Sequence, residues 1–292
     1  MSWQIALALF FVTNTAQSLW QRSYSQRSEL PESYPPAISY LFVLLPLSVV
    51  VGLAIGPTIS WSPWLAFLLI IEGVFIALFN WLMFRAIKRL PVAEYQLITQ
   101  SYAFITIALG WILLSETLTV PQIIGAVFLL AAAFIATQAP VKHDEHKPKA
   151  QRKLGVILAV CGALALGIGL VTEKAALHYM NVSAYFIFGF GTQAIALGVI
   201  ALKDTTRKVL RSIRPHDLRR SFIMGAISAI NGFLYIYAIQ HSDNISLITS
   251  LAAFCLPLAV VAAFIILKER ENIARMLLAA GLGTVGIIVT TL

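Results

Sequence analysis

The feature that most constrains this chain is a succession of apolar runs, each about 17 to 25 residues long and bounded by charges, prolines or turn formers. A bilayer's hydrocarbon core takes about 20 such residues per helical crossing. Runs near 3–20, 37–56, 64–84, 92–114, 121–138, 154–172, 183–202, 220–240, 245–267 and 274–292 fill almost the whole length. Each predicts a helix, because an unpaired backbone group in hydrocarbon costs several kcal/mol and a helix pairs its own. No alternating barrel pattern competes. The expected fold class is all-α, an integral membrane protein of ten transmembrane helices. Composition agrees, with 12% of residues charged and 59% apolar, against about 25% and 45–50% in a soluble domain. The first run, WQIALALFFVTNTAQSLW, has no basic residue ahead of it and no cleavage pattern behind it, so it is expected to remain as a span.

One polar stretch, VKHDEHKPKAQRK at 141–153, has charges, a proline and no apolar periodicity, and reads as a linker. It divides the chain into five spans over 1–140 and five over 154–292. The halves correspond. ILLSETLTVPQIIG at 112–125 and IILKERENIARMLL at 265–278 place Glu116 and Glu269 alike, and FRAIKRLP at 84–91 matches YAIQHSDN at 237–244. The offset is 152 or 153 residues throughout. An odd number of spans per half makes the second half enter the membrane from the opposite side, so the predicted architecture is an inverted repeat of the kind found in secondary transporters.

Charge supports the span count. Of 21 Lys and Arg, 20 fall in odd-numbered connections and only Lys174 in an even-numbered one. That bias predicts cytoplasmic odd-numbered connections and external termini.

ALGWILLSETLTVPQIIGAVFLLAAAFIA at 108–136 and GIGLVTEKAAL at 167–177 resemble the drug/metabolite transporter superfamily, in particular its EamA-type members. The resemblance covers nearly the whole chain. It implies ten helices around a central cavity, alternating access, export of small metabolites, amino acids or drugs across the cell inner (plasma) membrane, and termini on the cytoplasmic side.

Several side chains are candidates for the work. Glu116 and Glu269 close spans and are expected to act as hinges at the repeat seams, with Thr119 ahead of Pro121 fitting the start of the next helix. Glu94 follows Pro91 and reads as a partner of its helix's positive end. Glu72 differs, lying about a third of the way into its span, where a lone carboxylate costs several kcal/mol unless it faces a cavity or is neutral. It is the predicted proton-coupling residue, neutral when sealed from water and ionised when the cavity opens. Polar groups recur on four spans: Asn14, Gln17 and Gln21; Glu72, Asn80 and the adjoining Trp81; Gln96 and Gln100; Asn231 and Tyr235. Interhelical hydrogen bonding explains any one of them. Together they are expected to line a substrate cavity.

Other classes fare worse. A membrane-embedded enzyme acting on lipids or isoprenoids is the alternative, but Asp144, Asp204, Asp217 and Asp243 lie apart in connections, where metal-diphosphate chemistry needs them clustered. No enzyme activity, cofactor or metal is expected. The net charge of +8 sits in short connections without forming a basic face, which argues against nucleic acid. Cys161 and Cys255 lie in apolar runs with no ligand spacing and read as packing residues. The expected partners are a small-molecule substrate and the lipid bilayer. Glycines in GALALGIG and GLGTVG allow close helix approach, within one chain or across a homodimer.

Overall fold

The computed structural model describes residues 2–114, 119–137, 149–206, 209, 213–240, 255–266 and 273–290. Among these residues there are eleven helices and no strand beyond a single bridge between Ile59 and Met180. In chain order they are α1 (Trp3–Arg27), α2 (Tyr34–Ile55), α3 (Pro63–Ile87), α4 (Val92–Thr99), α5 (Tyr102–Leu114), α6 (Val120–Thr137), α7 (Lys149–Ala176), α8 (Val182–Lys203), α9 (Pro215–Gln240), α10 (Cys255–Ile266) and α11 (Ile273–Thr290). Four stretches, Tyr34–Ile55, Pro63–Ile87, Ala150–Ala176 and Val182–Lys203, are long and apolar enough to cross a membrane. Apolar side chains such as Phe42, Val50, Ile70, Val127 and Ile195 point outward, each at least 59% exposed, as a lipid-facing surface requires.

Three predicted boundaries are corrected. The run at 92–114 is two helices, not one, broken at Gln100 and Ser101. There the Ser101 hydroxyl and N–H both bond the Ile98 carbonyl, a local alternative to the helical ladder. The polar stretch 141–153 does not remain linker to its end, because Lys149 already opens α7. The first helix runs past residue 20 to Arg27, and Arg22 is buried, its guanidinium donating to the Ile87 carbonyl. Within α2, residues Tyr40–Leu44 form a π turn in which the Leu45 N–H bonds the Tyr40 carbonyl. Pro46, the next residue, has no N–H to continue the α-helical ladder, which explains the wider turn there.

The helices pack in two corresponding sets. Helix α3 lies against α7 and α8 as α9 lies against α1 and α2, α5 meets α7 as α10 meets α1, and α6 packs on α11. Single contacts repeat the pattern. A Cβ on Gly73 would stand 2.6 Å from Thr192 of α8, and one on Gly225 would stand 2.7 Å from the Ser39 carbonyl of α2. Gly169 meets Ile76, and Gln17 bonds Ser228. Within each pair of contacts the corresponding residues are 152 or 153 positions apart.

Polar clasps tie the connections at each end. Asn181 caps α8, its Oδ1 accepting from the N–H groups of Ala184 at 2.9 Å and Thr58 at 3.0 Å while its Nδ2 donates to the Gly56 carbonyl. Gly56 has φ of +94°, a left-handed conformation that a side chain would strain. At the opposite end Glu32 accepts from Arg85 and Arg89, both at 2.9 Å, and Ser33 donates to Asp204 at 2.5 Å.

Glu94 sits in the first turn of α4, as its sequence position suggests, and is also an ion-pair partner of Arg152 at 2.7 Å. The carboxylate side chain is 2% exposed and the arginine 31%. Arg152→Ala is expected to destabilise the protein by about 2 kcal/mol, below the cost of breaking a wholly buried pair because Arg152 is partly solvated. Thermal unfolding in detergent checks it, and Glu94→Gln in the Arg152→Ala background should restore most of the loss.

Candidate functional site

Glu72 lies in the middle of α3 and is fully buried, at 0% exposure. Two donors from α8 converge on one of its oxygens. The Tyr185 hydroxyl donates to Oε1 at 2.8 Å and Gln193 Nε2 donates to the same atom at 2.6 Å, with a further contact from Gln193 to the Tyr185 hydroxyl at 3.2 Å. Oε2 has no hydrogen-bond partner. Tyr185 and Gln193 are eight residues apart, just over two turns, and so project from one side of α8. The close approach of α3 and α8 depends on Gly73, whose missing side chain admits Thr192. The Tyr185 hydroxyl also interacts with Glu173 of α7, whose carboxylate is within electrostatic reach of Glu72.

Further polar contacts tie α1 to α9 and, separately, α1 to α4. Gln17 donates to Ser228 at 3.0 Å and accepts from Asn231 at 2.9 Å, while Thr13 donates to Asn231 at 3.1 Å. Gln96 donates to Ser18 at 2.5 Å, and Ser18 in turn bonds the Asn14 carbonyl. Tyr235 packs its ring on Phe10 with centroids 5.0 Å apart. Gln100 lies at the break after α4, where its buried Oε1 has no partner.

The predicted residues thus fall into separate groups. Gln17 and Asn231 bond each other directly, Gln96 reaches α1 at Ser18, and Asn14 joins only through its backbone carbonyl. Glu72 is held by α8, and Asn80, on the same helix, is buried and donates to its own helix at the Ile76 carbonyl. Trp81 faces elsewhere, beneath the Arg85 guanidinium at 4.9 Å. It lines a cavity of about 720 Å³ with Glu29, Glu32, Lys88 and Asp204. Glu116 and Glu269 lie outside the described residues. Tyr185, Gln193 and Glu173 were not singled out by sequence reasoning. An amide midway along the apolar run FGFGTQAIALG and an acid at the end of GIGLVTEKAAL were the available signals.

Among the described residues no group of three or more His, Cys, Asp or Glu side chains could hold a metal ion. The arrangement offers hydrogen bonding around a buried carboxyl that can gain or lose a proton.

The stretch that includes Glu72 carries a recognisable signature. Residues 29–138 match the model of the EamA-like transporter family. That family belongs to the drug/metabolite transporter superfamily. The family is generally one of transporters, and with the apolar helices the match indicates a multi-pass membrane protein. The EamA-like stretch runs from the connection ahead of α2 to just beyond α6, so it includes Asn80, Trp81, Gln96 and Gln100 as well as Glu72. A crystal structure of a protein 17% identical in sequence aligns over 97% of this chain and 95% of its own with a TM-score of 0.64, which shows a shared fold. No curated protein matches the chain.

Proposed function

We propose that this protein is a proton-coupled secondary transporter that exports a small polar solute by alternating access, with ten spans arranged as two inverted five-helix repeats. The observation that carries the coupling is Glu72, a fully buried carboxyl with two donors on one oxygen and none on the other. A buried acid without a partner for one oxygen is costly unless its proton or a ligand completes it. The amides of α1, α4 and α9 supply orienting groups for a polar solute. The family match supports transport, and the paired contacts at a constant offset support the repeat, because equivalent helices that pack equivalently are what a two-fold relation produces.

The lipid or isoprenoid enzyme remains the contrasting reading. Untargeted metabolite profiling of cells and medium with and without expression is expected to show one solute moving outward. Purified protein that chemically converts a candidate in liposomes, with no movement between compartments, would contradict transport.

The Lys and Arg bias supports cytoplasmic odd-numbered connections, with the cavity at Trp81 and the Glu32 ion pairs on that side and both termini outside. A reporter active only in the cytoplasm, fused at the C-terminus, is expected to be silent; a bright signal reverses the orientation.

A further inference from the structure

Helices α3 and α7 run antiparallel in a register fixed by close contacts. A Cβ on Gly155 would meet Arg89 and Leu90, one on Gly162 would meet Phe79 and Leu82, and one on Gly169 would meet Ile76. From Gly155 to Gly169 the contacts advance 14 residues along α7 while they retreat 13 or 14 along α3, from Arg89 and Leu90 to Ile76. One further turn from the Gly169 and Ile76 contact brings Glu173 opposite Glu72. The two acids differ in access, since Glu72 is fully buried whereas Glu173 is partly exposed. Beyond Glu173, at the end of α7, Lys174 and His178 are exposed.

The corresponding place in the other half lacks this chemistry. Subtracting or adding the 152-residue offset converts Glu173 to Gln21 and Glu72 to Met224. Met224 packs with Tyr24 and Phe84, a seat filled without any charge. Helix packing of this type therefore does not itself need two acids.

Resting on the transporter reading above, we propose that Glu173 is the second station of the proton path. It passes protons between the sealed Glu72 and water at the end of the molecule formed by the even-numbered connections. Among the described residues, the titratable groups facing Glu72 are Tyr40 from α2, Glu173 from α7 and Tyr185 from α8. Tyr185 donates to Glu72 Oε1, which leaves the unpartnered Oε2 as the atom that carries the proton. In the transfer the O–H bond at Glu72 Oε2 breaks and one forms on the Glu173 carboxylate. Glu72 becomes the carboxylate, Glu173 the acid, and the charge of the pair is unchanged.

The test needs no substrate, because its probe is the proton and its deuterium replacement. Full-length protein in lipid nanodiscs is followed by infrared difference spectroscopy through a pH titration and a switch from water to deuterium oxide. The carboxylic-acid carbonyl band that Glu72→Gln removes is assigned to Glu72. In Glu173→Gln that band is expected to exchange with deuterium about tenfold more slowly, or slower still, and to shift its titration midpoint, while Glu173→Asp restores exchange. Unfolding temperatures of the variants verify that the fold is intact, and Glu173→Ala, read in the same way as Glu173→Gln, carries the test if Glu173→Gln does not fold. Native exchange and an unshifted midpoint in Glu173→Gln overturn the proposal, as does a wild-type spectrum without any band that Glu72→Gln removes. If the infrared result is as expected but no solute moves in liposomes, the acid pair stands and the transporter reading fails. Loss of pH-driven transport in Glu72→Gln with native infrared behaviour in Glu173→Gln leaves the transporter reading standing and removes Glu173 from the proton path.

Discussion

Glu72→Gln is expected to leave folding and solute-for-solute exchange close to native while abolishing accumulation driven by a pH gradient. The amide oxygen of glutamine accepts from Tyr185 and Gln193 just as Oε1 does, at 2.8 Å and 2.6 Å in the native protein. Only the unpartnered oxygen is replaced, and by a group that cannot gain or lose a proton. The stability change should therefore remain within about 1 kcal/mol, the scale of a single net hydrogen bond. Transport behaves differently. Coupling requires that the carboxyl differ in protonation between the two access states, and a group that never titrates removes the whole linkage instead of weakening it. The accumulation ratio should fall to that of passive equilibration, measured as solute retained in proteoliposomes with an imposed pH gradient. Native accumulation by the variant would make Glu72 only a buried polar contact.

The largest structural effect is expected at Gly73. A Cβ there would lie 2.6 Å from the Thr192 Cβ and 2.8 Å from the backbone carbonyl carbon of the same residue, so a side-chain rotation of Thr192 cannot relieve the clash. Gly73→Val has to push α3 away from α8, loosening the hydrogen bonds on Glu72 as well as the packing. Overpacking of this sort costs about 1–3 kcal/mol, and the backbone contact places this case at or above the upper end. Gly225→Val should behave similarly against the Ser39 carbonyl. Gly281→Val, where a Cβ would meet nothing within 4 Å, supplies the comparison. Unfolding temperatures in detergent should fall clearly for the first two and little for the third. Equal temperatures for Gly73→Val and Gly281→Val would deny that α3 and α8 are locked at this point.

Much of the helical framework is legible because lipid permits little else. A run of apolar residues must satisfy its backbone internally, so α3 and α8 lie almost where the runs at 64–84 and 183–202 put them. The break at Gln100 and Ser101 is less legible, since it turns on hydroxyl and backbone bonds that leave hydropathy unchanged. The site divides in the same way. Glu72 stands out in sequence because an acid in a span is costly in isolation, whereas Gln193 and Tyr185 are ordinary span residues until α8 is known to face α3. Periodicity along one helix identifies a face and says nothing of which helix it meets. Gln17 and Asn231 illustrate the point: each lies on a polar face of its own span, yet only the packing of α1 on α9 reveals that they bond each other.

In the mechanism proposed for this protein, solute movement and proton movement are obligatorily linked through Glu72. With the solute identified by profiling, purified protein in sealed liposomes can be given a pH gradient of either direction, with no solute gradient at the start. Proton-coupled exchange predicts net solute movement opposite to the proton flow, reversing when the gradient is reversed and vanishing when a protonophore collapses it. Solute fluxes that are identical under both gradients and unaffected by the protonophore would contradict the account.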